Sequence, residues 1–177
     1  MRPTRSGSSA KAPTFASASR AGYARDAGGA NIPGGEFFGC PVEGSAVGTI
    51  SFSEFPGVHG GRHVNGIRLR FESGRIVEAS ADSEEEYLLQ TLDTDEGSRR
   101  LGELGIGCNP GITRHMRNTR VDEKIDGTVH IAVGAGFPDL GGTNVSAVHW
   151  DIVKDLRRDG QLYLNGERVQ ENGVWKL

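Results

Sequence analysis

Two absences shape the reading of this 177-residue chain. The first thirty residues contain no Val, Ile or Leu, and the first branched aliphatic is Ile32. No run of 18 apolar residues occurs, which excludes a membrane-spanning helix. Cysteine is scarce: Cys40 and Cys108 lack C-x-x-C spacing and are too few for a disulfide scaffold, so a reducing, cytoplasmic location is expected. Glycine is abundant at 27 residues but has no period of three, and no heptads run through the chain, which excludes collagen and coiled coil. There is no G-x-S-x-G elbow, no Walker A loop and no H-E-x-x-H helix. Gly134-Ala135-Gly136 mimics a dinucleotide turn, but the third glycine is wrongly spaced and Pro138 sits where the helix should start.

What is present is unevenly spread. Residues 1–30 hold five basic groups (Arg2, Arg5, Lys11, Arg20, Arg25) against Asp26 alone, whereas the rest of the chain carries a net −7. Ala, Ser, Gly and Arg bury too little apolar area to offset ordering entropy. Residues 1–29 are therefore expected to be a disordered leader, and 30–177 the working domain. An Arg- and Ser-rich start also fits a transit signal. Nucleic-acid binding is not expected, because the working domain is acidic and the basic start has few aromatics.

The patterning predicts a β-rich α+β fold, with a mixed sheet, short helices and a C-terminal β-meander. Val47–Phe52 alternates, and Gly66–Phe71 and Arg75–Ser80 flank a hairpin turn at Glu72-Ser73-Gly74. Ser83 before three glutamates predicts a capped helix, with Leu88, Leu89 and Leu92 on one stripe. Thr94-Asp95-Glu96 predicts a second short helix running towards Glu103. Thr128–Val133 and Val145–Val153 read as strands, and the Asn-Gly pairs at 165–166 and 172–173 read as hairpin turns.

Chemistry-bearing residues fall on these elements. His149-x-Asp151 puts an imidazole and a carboxylate on one face of a strand, and His130 stands between Val129 and Ile131 on another. A single such histidine is ordinarily a satisfied core residue; two in one small acidic domain point towards a shared partner. Glu36, Glu103 and Glu123, each at a local break, extend the set, although any one alone reads as a solvated charge. Mixed Glu, Asp and His ligands suit Zn²⁺, Co²⁺ or Mn²⁺ better than Ca²⁺, and six such groups are enough for two ions. His59 and His63, four apart around Gly60-Gly61, read as an exposed loop.

Taken together, Asn-Ile-Pro-Gly-Gly-Glu-Phe-Phe (31–38), Leu-Gly-Glu-Leu-Gly-Ile-Gly (101–107), Asp-Glu-Lys-Ile-Asp-Gly-Thr-Val-His (122–130) and Ser-Ala-Val-His-Trp-Asp-Ile-Val (146–153) closely resemble the thermophilic aminopeptidase T family of metallo-aminopeptidases. The resemblance runs in order from about residue 26 to the end. It implies a two-metal exopeptidase acting on peptides with a free N-terminus, and it suggests a homodimer. Glu36, Glu103, His130, His149 and Asp151 fall where the family's metal ligands lie, and Glu123 where a further acidic site residue stands. Glu103 or Glu123 is the implied proton acceptor. Two departures accompany the resemblance. Phe137 occupies a position where the family places Tyr, and the family's N-terminal domain has no counterpart before residue 31. A relative that keeps its ligands without turnover, serving as a metal- or peptide-binding module, is the alternative.

Overall fold

In a computed structural model of the chain, the structure describes residues 14–26 and 31–176. Fourteen strands form among them. The first eight are β1 (Phe15–Ala16), β2 (Ser19–Asp26), β3 (Glu36–Pro41), β4 (Val47–Phe52), β5 (Gly57–His59), β6 (Arg62–Val64), β7 (Ile67–Glu72) and β8 (Arg75–Ser80). Helix α1 (Glu85–Leu92) precedes β9 (Leu101–Gly107), and the one-turn helix α2 (Thr119–Asp122) precedes β10 (Thr128–Gly134). A 3-10 turn at Pro138–Leu140 leads to β11 (His149–Asp155), and β12 (Gln161–Leu164), β13 (Glu167–Glu171) and β14 (Val174–Trp175) close the chain.

The central sheet has the order β11-β10-β9-β3-β2, and a second sheet has the order β1-β4-β7-β8. The C-terminal meander pairs β12-β13-β14 as its Asn-Gly turns require, with Asn165, Gly166, Asn172 and Gly173 all at positive φ. Every ladder between named strands is antiparallel, so the mixed sheet expected from the pattern is corrected to antiparallel sheets. Parallel neighbours need long crossovers, and α1 and α2 do not serve as βαβ connections here.

Three local expectations are corrected. The leader expected over residues 1–29 includes two strands: β1 pairs with β4 and β2 pairs with β3. Strand addition of this kind is held by backbone hydrogen bonds, so a stretch without aliphatics can still join a sheet edge. Residues 1–13 and 27–30 lie outside the described residues. The second difference concerns Ser83, whose hydroxyl accepts from Asn65 Nδ2 at 2.8 Å while Glu84 occupies the N-cap with φ 56°.

The third correction is the helix expected after Thr94, which does not form. The Asp95 carboxylate accepts from Ser98 N (2.9 Å), Ser146 Oγ (2.8 Å) and Ala147 N (2.7 Å), tying its turn to the approach to β11. The same bonds explain why β11 starts at His149 and not at Val145. Led by the Ala147 bond, they hold the Asp95 carboxyl down at about 2. A depressed carboxyl contributes stability that is present above its ordinary value and is lost as pH falls towards 2. Asp95→Asn should lower the unfolding midpoint by a few degrees at pH 7 and flatten its decline between pH 4 and 2, as followed by circular dichroism.

Parity divides the central sheet. Leu104, Ile131, Val133, Trp150 and Ile152 share one face and pack with Phe52, Ile67, Leu69, Phe71 and the α1 leucines Leu88 and Leu92. The other face carries the site.

Candidate metal centre

The register places the polar residues together. His130 lies opposite Gly105, Ala132 opposite both Glu103 and Asp151, Gly134 opposite His149, and Glu36 opposite Gly107. Directly opposed residues, and residues two apart on one strand, project from the same face. Glu36, Glu103, His130, His149 and Asp151 therefore converge on the face away from the core. Small residues open the space between them. A Cβ on Gly105 would fall inside van der Waals contact with the His130 ring. The ladder between β9 and β10 also slips at Ala132/Val133, next to Glu103.

Two loops bring in the remaining residues. Gly35, at φ 121°, lets Asn109 approach so closely that a Cβ would stand 2.7 Å from that of Asn109. Asn109 Nδ2 donates to Gly34 O at 2.7 Å and Asn109 N to Lys124 O at 2.9 Å, which locks the Pro-Gly-Gly-Glu turn against the segment after α2. Glu123 is thereby brought beside Glu36 and His130. All six predicted site residues thus meet in one place. Lys124 was not singled out from the sequence. It is fully buried, and its Nζ donates to Glu36 Oε1 at 2.9 Å and to Glu123 Oε1 at 2.5 Å. An ordinarily solvated residue type gave no sign of this role; only its place inside the Asp-Glu-Lys motif could have.

Glu103 is the hub. Its Oε1 stands 3.3 Å from His130 Nε2 and its Oε2 3.2 Å from His149 Nε2. Asp151 Oδ2 is 3.5 Å from His149 Nε2, and Glu36 Oε2 is 3.5 Å from His130 Nε2. His149 Nδ1 donates to Ala135 O at 2.9 Å, which frees Nε2 as a ligand atom. Burial opposes charge throughout, but partners outweigh it for three groups. Hydrogen bonds from both imidazoles hold Glu103 down at about 2, Glu103 raises His130 to about 9, and Asp151 with Glu103 raises His149 to about 11. Burial, reinforced by the Asp151 charge, pushes Glu123 up to about 7.

These residues fit a metal. Two sets, Glu36–Glu123–His130 and Glu103–His130–Asp151, each bring ligand atoms within 4.8 Å of one another. Among the described residues, Glu36 Oε2 and Asp151 Oδ1 are buried with no hydrogen-bond partner, a costly state for carboxylate oxygens that a cation would relieve. Oxygen and imidazole donors match borderline divalent ions. In the absence of such ions Lys124 offsets part of the negative charge. Lys124→Met should therefore destabilise the metal-free protein by about 3–5 kcal/mol, since it strands two buried carboxylates. Urea unfolding in EDTA measures this, and metal loading should restore part of the loss.

A cleft of about 880 Å³ opens onto the centre. Phe38 and Phe137 line it, their rings 5.4 Å apart, and Phe137 also meets His149 edge-on at 5.2 Å. His59, expected in an exposed loop, is instead half-buried on β5. It stacks on Trp150 at 5.0 Å and shares a 2.8 Å hydrogen bond with Tyr87 Oη, because the β5–β6 hairpin folds back over β11.

Comparison with known proteins agrees with this geometry. A family model described as thermophilic metalloprotease (M29) matches residues 9–175. Aminopeptidase T of Thermus aquaticus is 42% identical over 168 residues, covering 83% of this chain and 40% of that protein. The solved structure of wild-type AmpT from Thermus thermophilus superposes with a TM-score of 0.70 at 32% identity, covering 93% of this chain and 45% of that one. A 2,5-dihydroxypyridine dioxygenase from Pseudomonas putida KT2440 shares the fold alone, with a TM-score of 0.65 at 23% identity over 79% of this chain and 43% of that one. The chain spans about 40% of the length of the curated relatives it matches.

Proposed function

The chain belongs to the thermophilic metalloprotease (M29) family, and on that premise we propose that it carries the catalytic centre of an aminopeptidase. It would remove N-terminal residues from peptides at a pair of divalent cations, Zn²⁺, Co²⁺ or Mn²⁺. The observation that supports this reading is the convergence of six ligand-type side chains on one sheet face beside an open cleft. Glu36, Glu103, His130, His149 and Asp151 would hold the ions, with Glu123 at their edge. Bound divalent cations supply Lewis acidity, polarising a scissile carbonyl and a water nucleophile.

The chain's own residues supply the rest. Glu103 has both oxygens engaged by imidazoles, which suits a metal ligand better than a proton carrier. Glu123 is held at Oε1 by Lys124 and lines the cleft, so its Oε2 is placed to take a proton and return it to the leaving amine. The acidic floor attracts the substrate's ammonium group, and Phe38 and Phe137 give the cleft an apolar wall. Cytoplasmic location and a homodimer belong to the same proposal. Cys40 and Cys108 are free thiols, and no helix among the described residues is long and apolar enough to cross a membrane.

The second reading is a metal- and peptide-binding module without turnover. Phe137 favours it, since a phenyl ring cannot donate a hydrogen bond to a tetrahedral intermediate as a phenol could. Loading the protein with Zn²⁺ or Co²⁺, counting metal per chain by mass spectrometry and following leucine p-nitroanilide separates the two. Two ions with turnover is the expected result; two ions without turnover leaves the module, and no bound ion overturns both.

A further inference from the structure

The loop joining β9 to β10 carries cations that the metal chemistry leaves unused. Arg117 and Arg120 both line the cleft and are exposed to solvent. Among the described residues, neither guanidinium has an ion-pair or hydrogen-bond partner. They are not counterions of the acidic floor: Lys124 pairs with Glu36 and Glu123 there, and among the described residues neither arginine pairs with any of its carboxylates.

The loop that carries them is built rather than slack. Buried Asp122 accepts from Met116 N at 2.5 Å and from Asn118 N at 2.7 Å, and pairs with His115 Nε2 at 3.2 Å. The His115 ring stacks on Phe55 at 4.6 Å, and Thr119 Oγ1 donates to Val58 O on β5 at 3.4 Å. Between the two amides that Asp122 holds, Arg117 takes φ 59°, a conformation that a non-glycine residue keeps only when its surroundings impose it. Asp122 thus holds a basic rim over a cleft whose floor presents Glu36, Glu103, Glu123 and Asp151.

A short peptide has the complementary polarity, an ammonium at one end and a carboxylate at the other. We infer that Arg117 and Arg120 bind a substrate carboxylate downstream of the scissile bond, which makes this centre selective for short peptides with a free C-terminus or for peptides with an acidic second residue. This deepens the aminopeptidase reading and rests on it. Guanidinium forks match carboxylates in bidentate geometry, and two of them on one rim outcompete a neutral carboxamide.

The test uses the metal-loaded 177-residue chain and reduced-amide analogues that cannot be cleaved. Calorimetry compares the Leu-Gly analogue as free acid, the same analogue as carboxamide, and a Leu-Asp carboxamide analogue. The free acid is expected to bind about tenfold more tightly than the Leu-Gly carboxamide. The Leu-Asp carboxamide decides between the sources: acid-like affinity means that a side chain suffices, and carboxamide-like affinity means that the terminal carboxylate is required. The doubly substituted Arg117→Gln/Arg120→Gln protein should bind all three alike, whereas Arg114→Gln, on the same loop but outside the cleft lining, should keep the preference. Equal affinities in the unsubstituted protein, or a preference that survives the double substitution, overturn the inference. Turnover of uncharged leucine p-nitroanilide is scored separately, so failure of the aminopeptidase reading is seen apart from failure of the carboxylate rim.

Discussion

Glu103→Gln is expected to reduce metal occupancy and to cut leucine p-nitroanilide hydrolysis by about 100-fold or more, since even outer partners of a metal site cost 10–100-fold. Glutamine keeps the volume and shape of the side chain, so the fold should survive; what disappears is the charge. Among the described residues, Glu103 is the one carboxylate paired with both imidazoles, His130 at 3.3 Å and His149 at 3.2 Å. Without its charge, the proposed site would lose the carboxylate that both imidazoles face. The sign of the pH effect follows from the same contacts. Without metal, His130 and His149 are raised to about 9 and about 11, so both are protonated at neutral pH and their protons must leave as ions enter. Metal affinity of the unsubstituted protein should therefore weaken as pH falls. Glu103→Gln removes a partner that raises both histidines, so this pH dependence should become shallower. Mass spectrometry of bound metal and initial rates across pH measure both effects. Full occupancy with a rate within threefold of the unsubstituted protein would show that Glu103 is not a ligand.

The fold does not choose the chemistry. A scaffold shared with a dioxygenase shows only that this sheet can house different sites, so the functional reading stands on the residues that one face presents. Those residues were legible where strand parity alone decides geometry. His149-x-Asp151 shares a face because residues two apart must, and the alternation of Thr128–Val133 put His130 on the side away from Ile131. The hairpins were equally legible, since Ser73-Gly74 and both Asn-Gly pairs do take positive φ.

Long-range partners were not legible. Asp95 looked like a helix cap because its nearest neighbours in sequence allow one. Its strongest partner is Ala147, 52 residues away. The helix expected after Thr94 runs towards Glu103, but Leu101–Gly107 is a strand; three glycines in seven residues make it a poor helix and leave room beside it. Lys124 was missed for the same reason: burial of a cation is decided by what faces it, and Glu36 lies 88 residues earlier. β1 and β2 were missed because composition reports core-forming capacity and not the ability to pair at an edge.

Those glycines carry the other large expected effect. Gly105→Ala adds one methyl group on the face where the His130 ring lies, within contact of its Nε2, Cε1 and Cδ2. His130 is fully buried, so its ring cannot swing clear without pushing on Glu103 or Glu36. Overpacking of this kind costs about 1–3 kcal/mol. The greater loss should be functional, because Nε2, the atom facing both carboxylates, is among the atoms displaced. Metal occupancy should fall and turnover should drop by about 100-fold, in line with a misplaced reactive group. Gly160→Ala provides the contrast. Its added Cβ meets Leu156 and no site residue. It should lower the unfolding midpoint while leaving the visible absorption of the Co²⁺-loaded protein intact. In Gly105→Ala that spectrum should change or vanish. If both variants keep the same Co²⁺ spectrum and rate, the empty space opposite His130 is a packing detail and not what sets the ligand's position.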